Sequence, residues 1–310
     1  MRTNSLLDPQ LSSLFEGAPN PAFTLAALPM LRKAMAGTPI AREDLHVAEH
    51  YLDREDGTAL RIVVIRQRSI TGPAPVVLHC HPGGWILGTP ETSTSTLVDI
   101  ARNLPCVLIS VDYRLAPEHP YPAAHDDVMA ALQWIRLHAK AHDFDDRRIM
   151  LVGESAGANI VAGIALRCRD EEIDDGIVGL SMVYSPLDDR TTSRPVHPFA
   201  GSIGLGAEHI RFAWASYLGN LPSDNVSSYA SPGRAVGLRG LPPVFLATGA
   251  IDPVIDENLE FAQRLIRDGV STNLHVFAGA PHGFDRAEDA QVTVQLRKLR
   301  REHLGRCLAL

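Results

Sequence analysis

Short apolar runs bounded by Gly, Pro or Asp recur along the chain: 59–67 (ALRIVVIRQ), 74–80 (APVVLHC), 105–113 (PCVLISVDY), 147–153 (RRIMLVG), 178–186 (VGLSMVYSP), 242–250 (PPVFLATGA) and 272–280 (TNLHVFAGA). Runs of this length, rich in Val, Ile and Leu, predict strands, and most are too apolar to leave either face to water. Between them, 123–142, 155–172 and 256–269 place apolar residues at spacings of three and four, and a last helical stretch closes the chain. That spacing predicts amphipathic helices. Apolar strands alternating with such helices predict an α/β fold, with a mostly parallel central sheet covered by helices on both faces.

Two stretches break the alternation. Residues 1 to about 40 are amphipathic and punctuated by proline, and roughly 187–235 interpose a long segment after a strand. An insertion of that length is usually functional. The two are expected to pack together as a helical cap over the C-terminal ends of the strands, where open α/β sheets place their sites. No repeat, low-complexity tract or Gly/Ser linker marks a boundary, so residues 1–310 are read as a single domain. The strand 272–279 could lie at a sheet edge, where two copies could pair as a homodimer.

Composition narrows the partners. The chain of 310 residues is 45% apolar, ample for a large core, and its net charge of −7 comes with no basic block. A nucleic-acid partner is therefore not expected. Cys80, Cys106, Cys168 and Cys307 lie far apart, without a metal-binding or disulfide-scaffold spacing. The N-terminus has acidic residues and prolines where a signal peptide needs an unbroken apolar core, and no run of about 18 uncharged apolar residues occurs. These features predict a cytoplasmic protein with no membrane contact.

The most informative string is RRIMLVGESAGANIVAGIAL, in which a strand runs through Gly153-Glu154-Ser155-Ala156-Gly157 into a helix. A serine on such a sharp turn projects its hydroxyl above the sheet, and the flanking glycines relieve crowding between strand and helix. The following helix N-terminus adds free N–H groups where negative charge would develop. A serine hydroxyl needs a base, and the base needs a group to orient it. His282 follows one strand in the loop APHGF and Asp252 ends another, so Ser155, Asp252 and His282 follow one another in the order this strand–turn–helix motif uses. Taken singly, Asp252 could be a helix cap and His282 an ordinary loop histidine. All three at strand ends make a catalytic set.

Directly after 74–78 comes His79-Cys80-His81-Pro82-Gly83-Gly84-Trp85. The glycine pair exposes backbone N–H groups without a Cβ in the way, so Gly83, Gly84 and Ala156 are the candidate oxyanion donors. His79 and His81 alternate along an extended strand with no third ligand beside them, so no metal is expected.

With these motifs in hand, the chain resembles the hormone-sensitive-lipase-like bacterial carboxylesterases of the α/β-hydrolase fold over roughly residues 60–290. His81-Pro82-Gly83-Gly84-Trp85 is similar to the family's oxyanion motif, Gly153–Gly157 to its nucleophile elbow, and Asp252-Pro253 and His282-Gly283-Phe284 to its acid and base motifs. Tyr113-Arg114-Leu115-Ala116-Pro117-Glu118 is close to another family signature and reads as scaffolding near the site. Pro82 stands where the family has its first oxyanion glycine, so it donates no N–H and leaves that task to Gly83 and Gly84. Glu154 stands where Asp or Thr is more usual. Pairing with a neighbouring cation is favoured for it over biasing the charge of the substrate.

The resemblance implies hydrolysis of small esters with short to medium acyl chains, without a cofactor, under a helical cap. Trp85, Phe212 and Trp214 are candidate pocket walls, although aromatic residues in a cap often form only its core. His282 would take the Ser155 proton during attack, so activity should rise as the imidazole becomes neutral. An amidase, lactonase or peptidase with the same three residues is the nearest alternative. A non-catalytic ligand receptor on this scaffold is the other, set against by the presence of His282.

Overall fold

A computed structural model describes residues 6–310 apart from 16, 18, 19, 55, 174, 175, 194–196, 198 and 220. Those positions of the expected cap, with residues 1–5, lie outside the described residues. The strands are β1 (Leu45–Asp53), β2 (Ala59–Gln67), β3 (Ala74–Cys80), β4 (Val107–Val111), β5 (Phe144–Glu154), β6 (Ile177–Val183), β7 (Val244–Gly249) and β8 (Thr272–Phe277). Among the described residues they form one eight-stranded sheet in the order β1-β2-β4-β3-β5-β6-β7-β8. β1 and β2 pair antiparallel, as do β2 and β4, and every pair from β4 to β8 is parallel. β3, β4 and β7 are buried along their whole length, as their unbroken apolar sequences require, whereas the edge strand β8 buries only its last residue.

Among the described residues eight α-helices accompany the sheet: α1 (Ser12–Phe15), α2 (Leu28–Met35), α3 (Thr94–Asn103), α4 (Ala123–His142), α5 (Ala156–Asp170), α6 (Ala207–Leu218), α7 (Ile255–Arg267) and α8 (Gln291–Cys307). Strand alternation divides the core between the two faces. Val76, Leu78, Ile109, Ile149 and Leu151 pack with Val128, Ile135, Ile160 and Phe261 of α4, α5 and α7. Val77, Leu108, Met150 and Val152 point the other way, to Leu97 and Ile100 of α3 and Leu304 of α8. None of the described helices is long and apolar enough to cross a membrane.

The strand β1 had no counterpart among the predicted runs. From Ala48 onward it alternates, with Ala48, His50 and Leu52 half-buried while Glu49, Tyr51 and Asp53 are exposed, because it is an antiparallel edge with one wet face. The two segments outside the alternation meet each other. The Asn20 amide donates to the Gly204 carbonyl at 2.6 Å and the His209 Nε2–H to the Pro21 carbonyl at 3.1 Å, while the Phe23 ring sits edge-on to His209.

Candidate active site

Ser155 lies between the last residue of β5 and the first of α5, with φ 52° and ψ −122°. A non-glycine residue in that region is strained, and its neighbours hold it there. The Ser155 N–H donates to the Val183 carbonyl at 2.9 Å. Gly157 faces β3 so closely that a Cβ would fall 1.9 Å from the Cys80 carbonyl oxygen. The glycine thus lets α5 start directly against the strand that leads into the Pro82-Gly83-Gly84 loop.

The other two candidates arrive from loops that follow β7 and β8. The Ser155 Oγ lies 2.8 Å from His282 Nε2, and His282 Nδ1 lies 2.9 and 3.1 Å from the two carboxylate oxygens of Asp252. Asp252 is fully buried and also accepts the Val254 N–H at 3.0 Å. An imidazole held by a carboxylate at Nδ1 presents its other nitrogen to the hydroxyl, the arrangement that proton removal from serine requires. The Tyr184 ring lies 4.6 Å from the imidazole, and its hydroxyl donates to Asp285 at 2.6 Å. Burial and the nearby Glu154 charge push the Asp285 carboxyl above its ordinary value.

Gly83, Gly84 and Trp85 all have positive φ, at 131°, 61° and 62°. The Gly83 carbonyl closes the turn by accepting the N–H groups of Ile86 and Leu87. Among the described residues, the N–H groups of Gly83, Gly84 and Ala156 have no acceptor, so they remain free for an incoming oxygen. The 113–118 string braces this loop. The Tyr113 hydroxyl donates to the His81 carbonyl at 2.7 Å with its ring stacked on His81, and the Ala116 N–H donates to the Trp85 carbonyl. His81 donates through Nδ1 to the Pro82 carbonyl, and burial holds its pKa down at about 3, so it stays neutral.

Ser155 and His282 open onto a cavity of about 900 Å³. Its walls include Phe15, Phe23, Ile203, Leu205 and Ile210, so both segments outside the alternation contribute, and Trp85, Glu154, Tyr184 and Asp285 also line it. Phe212 and Trp214 do not. Trp214 is buried against Trp85 and Tyr217, and Phe212 rests on Phe23, because α6 turns His209, Ile210 and Ala213 toward the cavity. Of the three candidate wall residues the structure places Trp85 on this cavity, and the two α6 rings in the aromatic packing behind it. Phe15, Phe23 and Tyr184 had no distinguishing sequence signal, since each becomes a wall only through long-range packing.

Residues 77–286 match a family model described as the alpha/beta hydrolase fold. The chain belongs to that family. It is 35% identical to the esterase LipI of Mycobacterium tuberculosis over 212 residues, which span 68% of this chain and 66% of the relative. The solved structure of esterase LipW from Mycobacterium marinum superposes with a TM-score of 0.88 at 34% identity, covering 98% of this chain and 96% of that one. A structure titled bacterial heroin esterase gives 0.90 at 33% identity and covers 99% of both chains. These similarities put this α/β hydrolase with the hormone-sensitive-lipase-like esterases.

Within this hydrolase Glu154 is fully enclosed, with His79 Nε2–H donating to one oxygen at 2.9 Å and Arg300 Nη1–H to the other at 2.7 Å. Burial alone would raise its pKa, but the charges and hydrogen bonds of His79 and Arg300 overcome that and bring it below the ordinary carboxylate value. The cation pairing expected for Glu154 is present. Its partner Arg300 comes from α8, beyond the span in which the family motifs lie.

Proposed function

We propose that this α/β hydrolase cleaves small carboxylic esters with short to medium acyl chains through an acyl-enzyme on Ser155. The observation that carries this reading is the continuous Ser155–His282–Asp252 chain, with contacts of 2.8 and 2.9 Å, whose serine and histidine line the cavity. In the mechanism, His282 accepts the Ser155 proton as Oγ bonds to the ester carbonyl, and Asp252 fixes the tautomer and offsets the imidazolium charge. The tetrahedral oxyanion takes hydrogen bonds from Gly83, Gly84 and Ala156. Collapse breaks the bond to the alkoxy oxygen, which leaves as the alcohol with the proton from His282. Water then gives a proton to His282 as it bonds to the acyl carbon, and His282 returns that proton to Ser155 Oγ as the acyl C–O bond breaks, releasing the carboxylic acid and restoring the serine hydroxyl.

The esterases among the relatives support ester rather than amide cleavage. The two segments packed over Ser155 are proposed as the cap, and the aliphatic and aromatic wall they supply suits an acyl chain of modest length. Cys80, Cys106 and Cys168 are buried as thiols, which supports a reducing compartment such as the cytoplasm. The edge position of β8 supports pairing of two copies along 272–279, which sedimentation equilibrium would detect.

A p-nitrophenyl ester series from acetate to decanoate tests the reading. The purified protein should turn over the shorter members, and Ser155→Ala should lower kcat by at least about 10⁴-fold while unfolding at the same temperature. Near-normal turnover by folded Ser155→Ala would end the proposal.

A further inference from the structure

Strand alternation brings a set of buried polar groups beneath the nucleophile that the proposed reaction does not use. His79, Ser110 and Glu154 share strand parity with Val77, Leu108 and Val152, so all face the side covered by α3 and α8. There they join. Ser110 Oγ meets His79 Nδ1 at 2.8 Å, His79 meets Glu154, and Glu154 meets Arg300, whose other nitrogen reaches Thr96 Oγ1 at 3.3 Å. Arg300 is only 1% exposed. Two neighbouring arginines, Arg297 and Arg301, tie α8 to Ser95 and Asp99 of α3, so Arg300 is held from both sides.

The position of this network matters more than its charge. Glu154 immediately precedes the strained Ser155, and His79 stands just ahead of the loop that carries Gly83 and Gly84. A single carboxylate therefore joins the nucleophile turn to the strand feeding the oxyanion loop, and Arg300 pins that junction to the C-terminal helix. Buried ion pairs of this kind contribute little net stability, because desolvation offsets their attraction. Oxyanion stabilisation, in contrast, depends steeply on where the donors sit.

We propose that Glu154 and Arg300 are positioning residues: acting through His79, they set the oxyanion loop at its working height over Ser155. The proposal rests on Ser155 as nucleophile; Glu154 lines the cavity, but both its oxygens are taken by His79 and Arg300, so its action is on the loop and not on the reacting atoms. Its effect falls on the transition state, so kcat changes while substrate binding does not.

The decisive variant is Glu154→Leu combined with Arg300→Met, which removes both charges and leaves no unpaired ion in the core. The full-length variant is expected to melt within a few degrees of wild type. With p-nitrophenyl butyrate, kcat should fall about tenfold to a hundredfold with KM changed less than about threefold, and the rate of Ser155 labelling by a fluorophosphonate should fall in step. A folded double variant with kcat within about twofold of wild type, or a loss carried by KM alone, overturns the proposal. If the double variant does not fold, Glu154→Gln is read instead. It keeps the shape but cannot accept from both partners at once, and a kcat reduced at least about fivefold supports the proposal while a wild-type kcat refutes it. Undiminished turnover by Ser155→Ala would instead remove the nucleophile assignment, a separate outcome because the pair variants retain Ser155.

Discussion

Asp252 shows how much of the site rests on single atoms. Both its oxygens lie within hydrogen-bonding distance of His282 Nδ1, and one also accepts the Val254 N–H, so the carboxylate is oriented before it orients the imidazole. Asp252→Asn keeps the volume and can keep the Val254 contact, but its amide N–H would face Nδ1 and favour the tautomer with the proton on Nε2. That nitrogen then cannot accept from Ser155. The expected result is a loss of about 10⁴-fold in kcat, with a melting temperature close to wild type. Steady-state kinetics beside differential scanning calorimetry checks both halves, and a variant with most of its turnover would show that another group orients His282. Gly157 is demanding for a different reason, since the Cys80 carbonyl occupies the space of any side chain there.

Residues from both segments outside the strand–helix alternation line the cavity beside Ser155. Phe23 lines the cavity, packs edge-on against His209 with ring centroids 4.7 Å apart, and contacts Phe212 from the far side. Phe23→Ala should open the proposed acyl wall without disturbing the sheet, raising the ratio of kcat/KM for octanoate over butyrate by about tenfold, the scale on which apolar pockets discriminate chain length. An unchanged ratio in the p-nitrophenyl series would place the acyl chain elsewhere. The sheet and the three converging side chains were legible because their signals are local: unbroken apolar runs, a strand–serine–helix string, and acid and base at strand ends. The helix 123–142 keeps both predicted ends, whereas the strand expected at 147–153 begins earlier, at Phe144. What stayed illegible depends on contacts across the fold. Arg300 sits in the string LRKLRREHLGRC and reads as one more solvated charge until α8 docks on α3. Phe212 and Trp214 read as pocket walls because sequence does not say which side of α6 turns inward.

At the scale of the whole molecule, buried titratable groups govern how the folded state responds to pH. Burial lowers His81 and His125 to about 3 and His303 to about 4, each below the ordinary histidine value near 6.5. Below about pH 6.5 the unfolded chain takes up protons that these native histidines refuse, so stability present above that pH is lost as pH falls toward 4 and then 3. Glu257 acts in the opposite sense. It is buried, and one carboxylate oxygen accepts the Asp188 N–H and the Thr191 hydroxyl. Burial pushes its pKa well above the ordinary carboxylate value, so over a range above that value the native state holds a proton that the unfolded chain has released. Stability from this group is full below about pH 4.5 and is lost as pH rises through the native pKa. Glu257→Gln mimics the protonated form at every pH. It should therefore melt at a higher temperature than wild type at pH 9, and the advantage should shrink as pH falls toward 5. Melting curves of both proteins across that range test the sign, and an advantage that grew on acidification would mean that Glu257 is ionised in the folded protein.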